Sequence, residues 1–173
     1  MNAADAQASS VQMSTGPQAE ADWPRLQALY ASYGRVLDNG DYAKWPEFFV
    51  DDAVYKVQSR ENFDRGLPLA AIALESKAML QDRVIGATDT IFHDPYYQRH
   101  VVGVPVLRAV ETEGWRCEAN YAVFRTKLSE ASTVFNVGRY LDRVARTPDG
   151  LRFASRECIY DSEMIPNSII YPI

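Results

Sequence analysis

From Trp23 onward the apolar side chains of Trp23, Leu26, Leu29, Tyr30, Tyr33, Val36 and Leu37 recur at steps of three and four, which is one face of an amphipathic helix. Asp22 is placed to cap this helix, Pro24 is tolerated in a first turn, and Asn39-Gly40 supplies a left-handed stop. A helix of about four turns is predicted. Asp41 then caps a second, short helix with Trp45, Phe48 and Phe49 on one face; Asp51-Asp52 ends it, and Ala53 to Val57 runs extended. Residues 58–67 are polar and irregular. Pro68 opens a third, longer helical pattern through Leu69, Ile72, Ala73, Ser76, Met79, Leu80 and Val84.

The period then changes. Residues 92–100, FHDPYYQRH, are interrupted by Pro95 and read as a loop leading into sheet. From Arg99 the pattern alternates, with His100, Val102, Val104 and Val106 on one side of the pleat and Val101, Gly103, Pro105 and Leu107 on the other. Extended runs near 115–127, 132–146 and 151–160 follow, separated by turn-rich stretches at 111–114, 129–131 and 147–150. Strands joined this tightly pair antiparallel, as a meander. Helices first and long strands afterwards describe an α+β domain whose N-terminal helices pack on the concave face of a curved antiparallel sheet. The closing IYPI is too apolar for a free tail and is predicted to pack down.

Composition narrows the function. With 173 residues, 47% of them hydrophobic, one core is expected. Residues 1–21 are small and polar, without the basic and apolar regions of a signal peptide, and read as a disordered tail ahead of a single domain over 22–173. A net charge of −5 without a Lys/Arg-rich run disfavours nucleic acid and anionic membranes as partners. Every apolar run is broken well before the roughly 20 residues a membrane span needs. A soluble, cytoplasmic protein is expected. The two cysteines, Cys117 and Cys158, lie in strand-like segments without metal-ligand spacing and read as buried apolar residues.

Candidate chemistry is sparse. His93, Asp94 and His100 form the one cluster worth testing as a metal centre, but Pro95 forbids a helix between the two histidines, and an odd separation along a strand sends them to opposite faces. The glycines form neither a dinucleotide nor a triphosphate cradle, and there is no GxSxG elbow. General acid–base chemistry in a cone pocket lined by Tyr30, Asp38, Tyr55, Tyr97, His100, Tyr121 and Tyr140 is the enzymatic alternative. Arg99, Arg125, Arg139, Arg143 and Arg156 alternate with Glu118, Asp142, Glu157 and Asp161 in the strands. They form either a solvated cross-strand ladder or, with neighbouring Tyr and Phe, a docking face for other subunits.

Several stretches together resemble a known family: YASYGRVLDNGDYAKWPEFFVDDAVY at 30–55, LQDRV at 80–84, YQRHVV at 97–102, NYAVFRTK at 120–127, NVGRYLDRV at 136–144 and SRECIYDSEMIPNSIIYPI at 155–173. The resemblance is to the small (beta) subunits of aromatic-ring-hydroxylating, Rieske-type dioxygenases, within the NTF2-like (cystatin-like) cone folds, and most of all to partners of salicylate hydroxylase and terephthalate dioxygenase. One departure is GVPVL at 103–107, where many relatives carry an asparagine soon after the RH pair. The resemblance implies a structural, non-catalytic subunit with no catalytic, cofactor-binding or metal-binding residue of its own. The Rieske [2Fe-2S] cluster and mononuclear Fe(II) would lie in a large (alpha) subunit, within an α3β3 hexamer supplied with electrons from NADH through ferredoxin and reductase, to hydroxylate an aromatic acid. The rival is a self-sufficient cone-fold dehydratase or isomerase using His100 and the tyrosines.

Overall fold

A computed structural model of the chain describes residues 17–112, 114–163 and 168–173. Helix α1 (Pro17–Asp38) buries Leu26, Leu29, Tyr30, Tyr33 and Leu37, the periodic face read from the sequence. It starts ahead of Asp22, so that residue does not cap it and residues 17–21 are helical; the rest of the predicted tail lies outside the described residues. Asp22 is a buried carboxylate paired with Arg146 (3.2 Å) and Arg25 (3.5 Å). Gly40 ends the helix at φ +74°, the left-handed conformation expected there.

A 3-10 turn (Tyr42–Phe48) buries Trp45; Asp41 precedes it but receives Lys44 Nζ (3.1 Å) instead of capping the backbone. Strand β1 (Phe49–Ser59) runs through Asp51-Asp52, which face solvent and do not delay the strand. The stretch expected to be irregular contains α2 (Arg60–Asp64), capped by the Ser59 hydroxyl. The long third helix is corrected. Its first half is strand β2 (Ile72–Leu74), paired antiparallel with β1, and α3 (Lys77–Ile85) starts at the Ser76 cap and runs into a π turn (Gly86–Thr90). Edge pairing with β1 satisfies the backbone of 72–74 where a short, weakly amphipathic helix would not have buried Ile72.

Strand β3 (Tyr96–Val102) begins three residues earlier than predicted, and the single run expected from Arg99 is split. After Gly103, Val104 and Pro105 the chain resumes as β4 (Val106–Glu111), and both strands pair with β5 (Gly114–Lys127). Val102 faces Tyr121 while Val106 faces Glu118, one residue out of step, so the pleat inverts. His100 and Val102 point inward, but Val106 is exposed and Leu107 takes the inner side. The break falls at the GVPVL departure, where Pro105 has no N–H for the ladder.

Strands β6 (Thr133–Thr147) and β7 (Gly150–Tyr160) complete the predicted meander. The sheet order is β2-β1-β7-β6-β5-β3, with β4 also on β5. One pairing differs from expectation: β1 joins β7 in parallel, so the sheet is mixed. The chain reaches β7 only after crossing the whole fold, which frees the pair from hairpin geometry. The helices cover the concave face, as expected of an α+β cone.

Gly138 marks a close approach. A methyl group there would lie 2.0 Å from the Ile159 carbonyl oxygen, a backbone atom of β7. Gly138→Ala is therefore expected to destabilise the fold by at least the ~1–3 kcal/mol of a typical overpacked site, read as a lower urea midpoint at unchanged slope.

Candidate functional site

The concave face is organised around a row of cross-strand neighbours. Tyr55 on β1 faces Arg156 on β7, Arg156 faces Asp142 on β6, and Asp142 faces Cys117 on β5. Arg156 grips Asp142 in a two-pronged pair, Nε to Oδ1 at 2.9 Å and an NH2 nitrogen to Oδ2 at 2.8 Å. Both side chains are fully buried. The guanidinium carbon lies 3.9 Å from the Phe153 ring centre, 4.1 Å from those of Tyr33 and Tyr140, and 4.9 Å from that of Tyr30. Burial disfavours the arginine's charge, but the charge and hydrogen bonds of Asp142 more than offset it, so its pKa is raised. The Tyr30 hydroxyl of α1 donates to Asp142 Oδ2, joining helix to sheet.

Arg156 and Asp142 thus belong neither to a solvated ladder nor to a docking face, and both readings are corrected for this pair. A signal was present in the sequence: Arg156 sits two residues from Cys158, and Asp142 two from Tyr140 and Val144, all on one side of the pleat. The other strand arginines do lie nearer solvent. Arg143 and Arg116 share Glu111 (both 3.1 Å), Arg108 pairs with Glu118 (3.0 Å), and Arg125 covers Phe135.

The seven residues proposed to line one pocket are dispersed. Tyr30, Tyr55, Tyr121 and Tyr140 are core side chains; Tyr121 stacks on Tyr140 at 4.2 Å and donates to Asn136 Oδ1 (2.6 Å). Burial raises the pKa of all four. Tyr97 stands on the opposite, outer face, 75% exposed. Tyr30, Asp38 and His100 do meet, along a cleft of about 390 Å³ between α1 and the β3–β4 break, lined also by Arg35, Arg99 and Pro105. Asp38 Oδ1 accepts from the His100 backbone N–H (2.9 Å) and lies 2.7 Å from Nδ1. The accepting carboxylate makes Nδ1 the protonated nitrogen. The imidazole is wholly shielded from solvent, however, so it cannot reach a ligand in the cleft without movement of α1 or β3. Gly34 of α1 lies against it, where a Cβ would be 3.6 Å from that of His100.

His93 lies elsewhere, its ring edge-on to Tyr171 at 5.1 Å and its Nδ1 3.0 Å from the Asp94 carbonyl oxygen. Among the described residues no group of three His, Cys, Asp or Glu side chains could hold a metal ion. Cys117 and Cys158 are free and buried, on strands separated by β6, so the donor set does not fit an iron–sulfur cluster or a mononuclear iron. Among the described residues no helix is long and apolar enough to cross a membrane.

Sequence reasoning anticipated that the C-terminal residues pack down, but not where. The Ile173 main-chain oxygen accepts from the hydroxyls of Tyr33 (3.0 Å) and Tyr55 (3.1 Å), and Ile173 is fully buried.

A curved mixed sheet closed on one side by helices, with its inner face converging on buried polar groups, defines a SnoaL-like domain, and the SnoaL-like domain family matches residues 21–157. The small subunit of anthranilate 1,2-dioxygenase from Burkholderia cepacia is 32% identical over 151 residues, covering 87% of this chain and 94% of that protein. A Novosphingobium aromaticivorans structure, assigned as the beta subunit of an aromatic-ring-hydroxylating dioxygenase, superposes with a TM-score of 0.82 at 36% identity, over 90% of this chain and 99% of that one. The benzoate 1,2-dioxygenase beta subunit of Burkholderia mallei shares the fold, at a TM-score of 0.70 and 14% identity over 86% of this chain and 96% of that one. The chain belongs to the small (beta) subunits of aromatic-ring-hydroxylating dioxygenases.

Two outcomes are expected from the filled interior. Removing one partner of the Arg156–Asp142 pair, by Asp142→Asn or Arg156→Leu, costs about 3–5 kcal/mol of stability, measured by chemical denaturation. Burial pushes the thiols of Cys117 and Cys158 up to about 12 from an ordinary value of 9.0. The native state therefore keeps protons that the unfolded chain loses above pH 9. This stabilisation is complete below that pH and falls by about 1.4 kcal/mol per pH unit for each thiol as pH rises toward 12. A pH series of melting temperatures checks the fall, and a thiol reagent at pH 8 should label both cysteines only after denaturation.

Proposed function

We propose that the chain is the structural, non-catalytic subunit of a terminal oxygenase that hydroxylates an aromatic acid. The observation that carries this reading is the filled cone: the volume a substrate would need is taken by Arg156, Asp142, their aromatic neighbours and Ile173. A cone of this architecture supports many functions, so the family alone would not carry it. The relatives named for anthranilate and benzoate dioxygenases support an aromatic acid as substrate class, salicylate- or terephthalate-like.

In this reading a large subunit holds the Rieske [2Fe-2S] cluster and the mononuclear Fe(II). The small subunit is a rigid wedge in an α3β3 hexamer that keeps one large subunit's cluster near its neighbour's iron. Electrons come from NADH through ferredoxin and reductase proteins, in the cytoplasm. The contribution of this chain is spacing, and the surface suited to it is the outer face of the sheet. There Val101, Ala122 and Val137 lie side by side on β3, β5 and β6, with Arg99, Phe124 and Val134 in the next row. Tyr97, Val101, Val134 and Val137 are all exposed. Aromatic, aliphatic and arginine side chains together are the usual composition of such an interface.

The test is co-purification from the native host with a cleavable tag. An equimolar larger chain carrying all the iron–sulfur absorbance supports the proposal; a colourless homo-oligomer that turns over substrate alone overturns it. Val101→Glu/Val137→Glu is expected to weaken the complex at least tenfold with the fold retained, by sedimentation and circular dichroism. His100→Asn, which keeps a donor toward Asp38, should leave turnover of the complex within about twofold of the parent.

A further inference from the structure

At the start of β3 a groove of about 500 Å³ opens between residues 94–97 and the β5–β6 turn. Pro95, Tyr97 and Leu128 supply its apolar surface, and Asp94, Lys127 and Glu130 its charges. The two sides are fastened together. Lys127 Nζ donates to Asp94 Oδ2 (3.1 Å), the Glu130 N–H donates to the Lys127 carbonyl oxygen (3.2 Å), and the hydroxyls of Thr126 and Ser132 lie 2.7 Å apart across the turn. Ser129 is held at φ +62°, a left-handed conformation unfavourable for a residue with a side chain. Leu128 and Tyr97 are among the most exposed apolar side chains of the described residues.

Within the groove one cation meets two carboxylates. Lys127 takes one oxygen of Asp94, whose side chain is 81% exposed, and Glu130 forms no ion pair among the described residues. An exposed ring and an unmatched carboxylate on one groove fit a planar cation, which stacks on the first and pairs with the second. The chain itself uses this device repeatedly. The guanidinium of Arg146 lies 4.0 Å from the Trp115 ring centre while donating to Asp22, and that of Arg139 lies 5.7 Å from the Phe63 ring centre. Arg125 serves Phe135 at 5.1 Å and Tyr96 at 5.8 Å. Among the described residues no cation covers Tyr97, the ring that the groove leaves open.

We propose that the groove receives an arginine side chain of the large subunit, its guanidinium stacking on Tyr97 and pairing with Glu130 while its stem packs on Pro95 and Leu128. The position of the groove selects the occupant. Tyr97, Arg99 and Val101 are successive outward side chains of β3, so the groove is the end of the outer sheet face and not a separate surface. The inference rests on the oxygenase reading and gives its docking face a chemically specific anchor, of a residue type that dominates interface energies.

Two measurements separate the groove from its partner. In the first, the full chain is titrated by NMR with Nα-acetylarginine amide and with Nα-acetylcitrulline amide, the uncharged analogue of the same shape. The arginine amide should shift the Tyr97 and Leu128 resonances saturably and bind at least fivefold more tightly than the citrulline amide. No saturable shift, or no preference, overturns the proposal and leaves the oxygenase reading standing. In the second, the complex is reconstituted from the large subunit and variants of this chain, and its affinity is measured at several salt concentrations. Glu130→Lys and Tyr97→Ala should each weaken it at least tenfold, Tyr97→Phe less than twofold, and Glu130→Gln should make the salt dependence shallower. Glu75→Lys, beside β2 at the opposite edge of the sheet, controls for general charge and should change the affinity less than twofold. A loss from Glu130→Lys no greater than from Glu75→Lys overturns the proposal, and a parent chain that joins no large subunit overturns both the proposal and the reading beneath it. Circular dichroism checks each variant, and Glu130→Gln, the mildest, decides if Tyr97→Ala does not fold.

Discussion

A guanidinium and a carboxylate leave water together only where close pairing offsets the loss of their hydration, and the two-pronged pairing of Arg156 with Asp142 meets that condition at the centre of this fold. The two residues are direct cross-strand neighbours, so their geometry holds only in one register of β6 on β7. Tyr30 closes on the same carboxylate from α1, and Tyr33, Tyr140 and Phe153 enclose the cation. Sheet register, helix placement and aromatic packing are therefore tied to one charge pair. A shift in any of them would leave a buried charge short of partners, which is far more costly than losing an ordinary apolar contact.

That constraint also bears on function. In a cone whose interior is filled by this pair and its aromatic walls, side chains suited to acid–base chemistry are buried. Four tyrosines bury their rings, and the Asp38–His100 pair is sealed below the one cleft that could have used it. On the outer face of the sheet, apolar side chains and arginines alternate and, among the described residues, stand without a covering layer. A filled interior and an outer sheet face rich in exposed apolar side chains accompany membership among the small subunits of dioxygenases. The closing segment adds to this packing, with the Ile173 main-chain oxygen accepting from the hydroxyls of Tyr33 and Tyr55.

Much of this was legible along the chain. The apolar period of α1 and the three long strands β5, β6 and β7 are local facts: burial on one face repeats every 3.6 or every two residues, and turn residues mark the ends. The buried thiols and the apolar closing segment follow from residue character. Short elements were less legible. Strand β2 sits inside a helical pattern because its state is decided by pairing with β1, and Asp22 looks like a cap until Arg146 arrives from β6 to claim it.

By itself the sequence determined the α+β class, the order of the main elements and the family, since these depend on periodicity and on residues close in the chain. Only the tertiary structure decided that β1 runs parallel to β7, that Arg156 is buried while Arg143 stays at the surface, that His100 is sealed, and that Ile173 meets Tyr33 and Tyr55. Each of these joins residues far apart in the chain. Alternation narrows the side of the pleat on which a residue falls, but what covers that side is set by whichever distant segment folds over it.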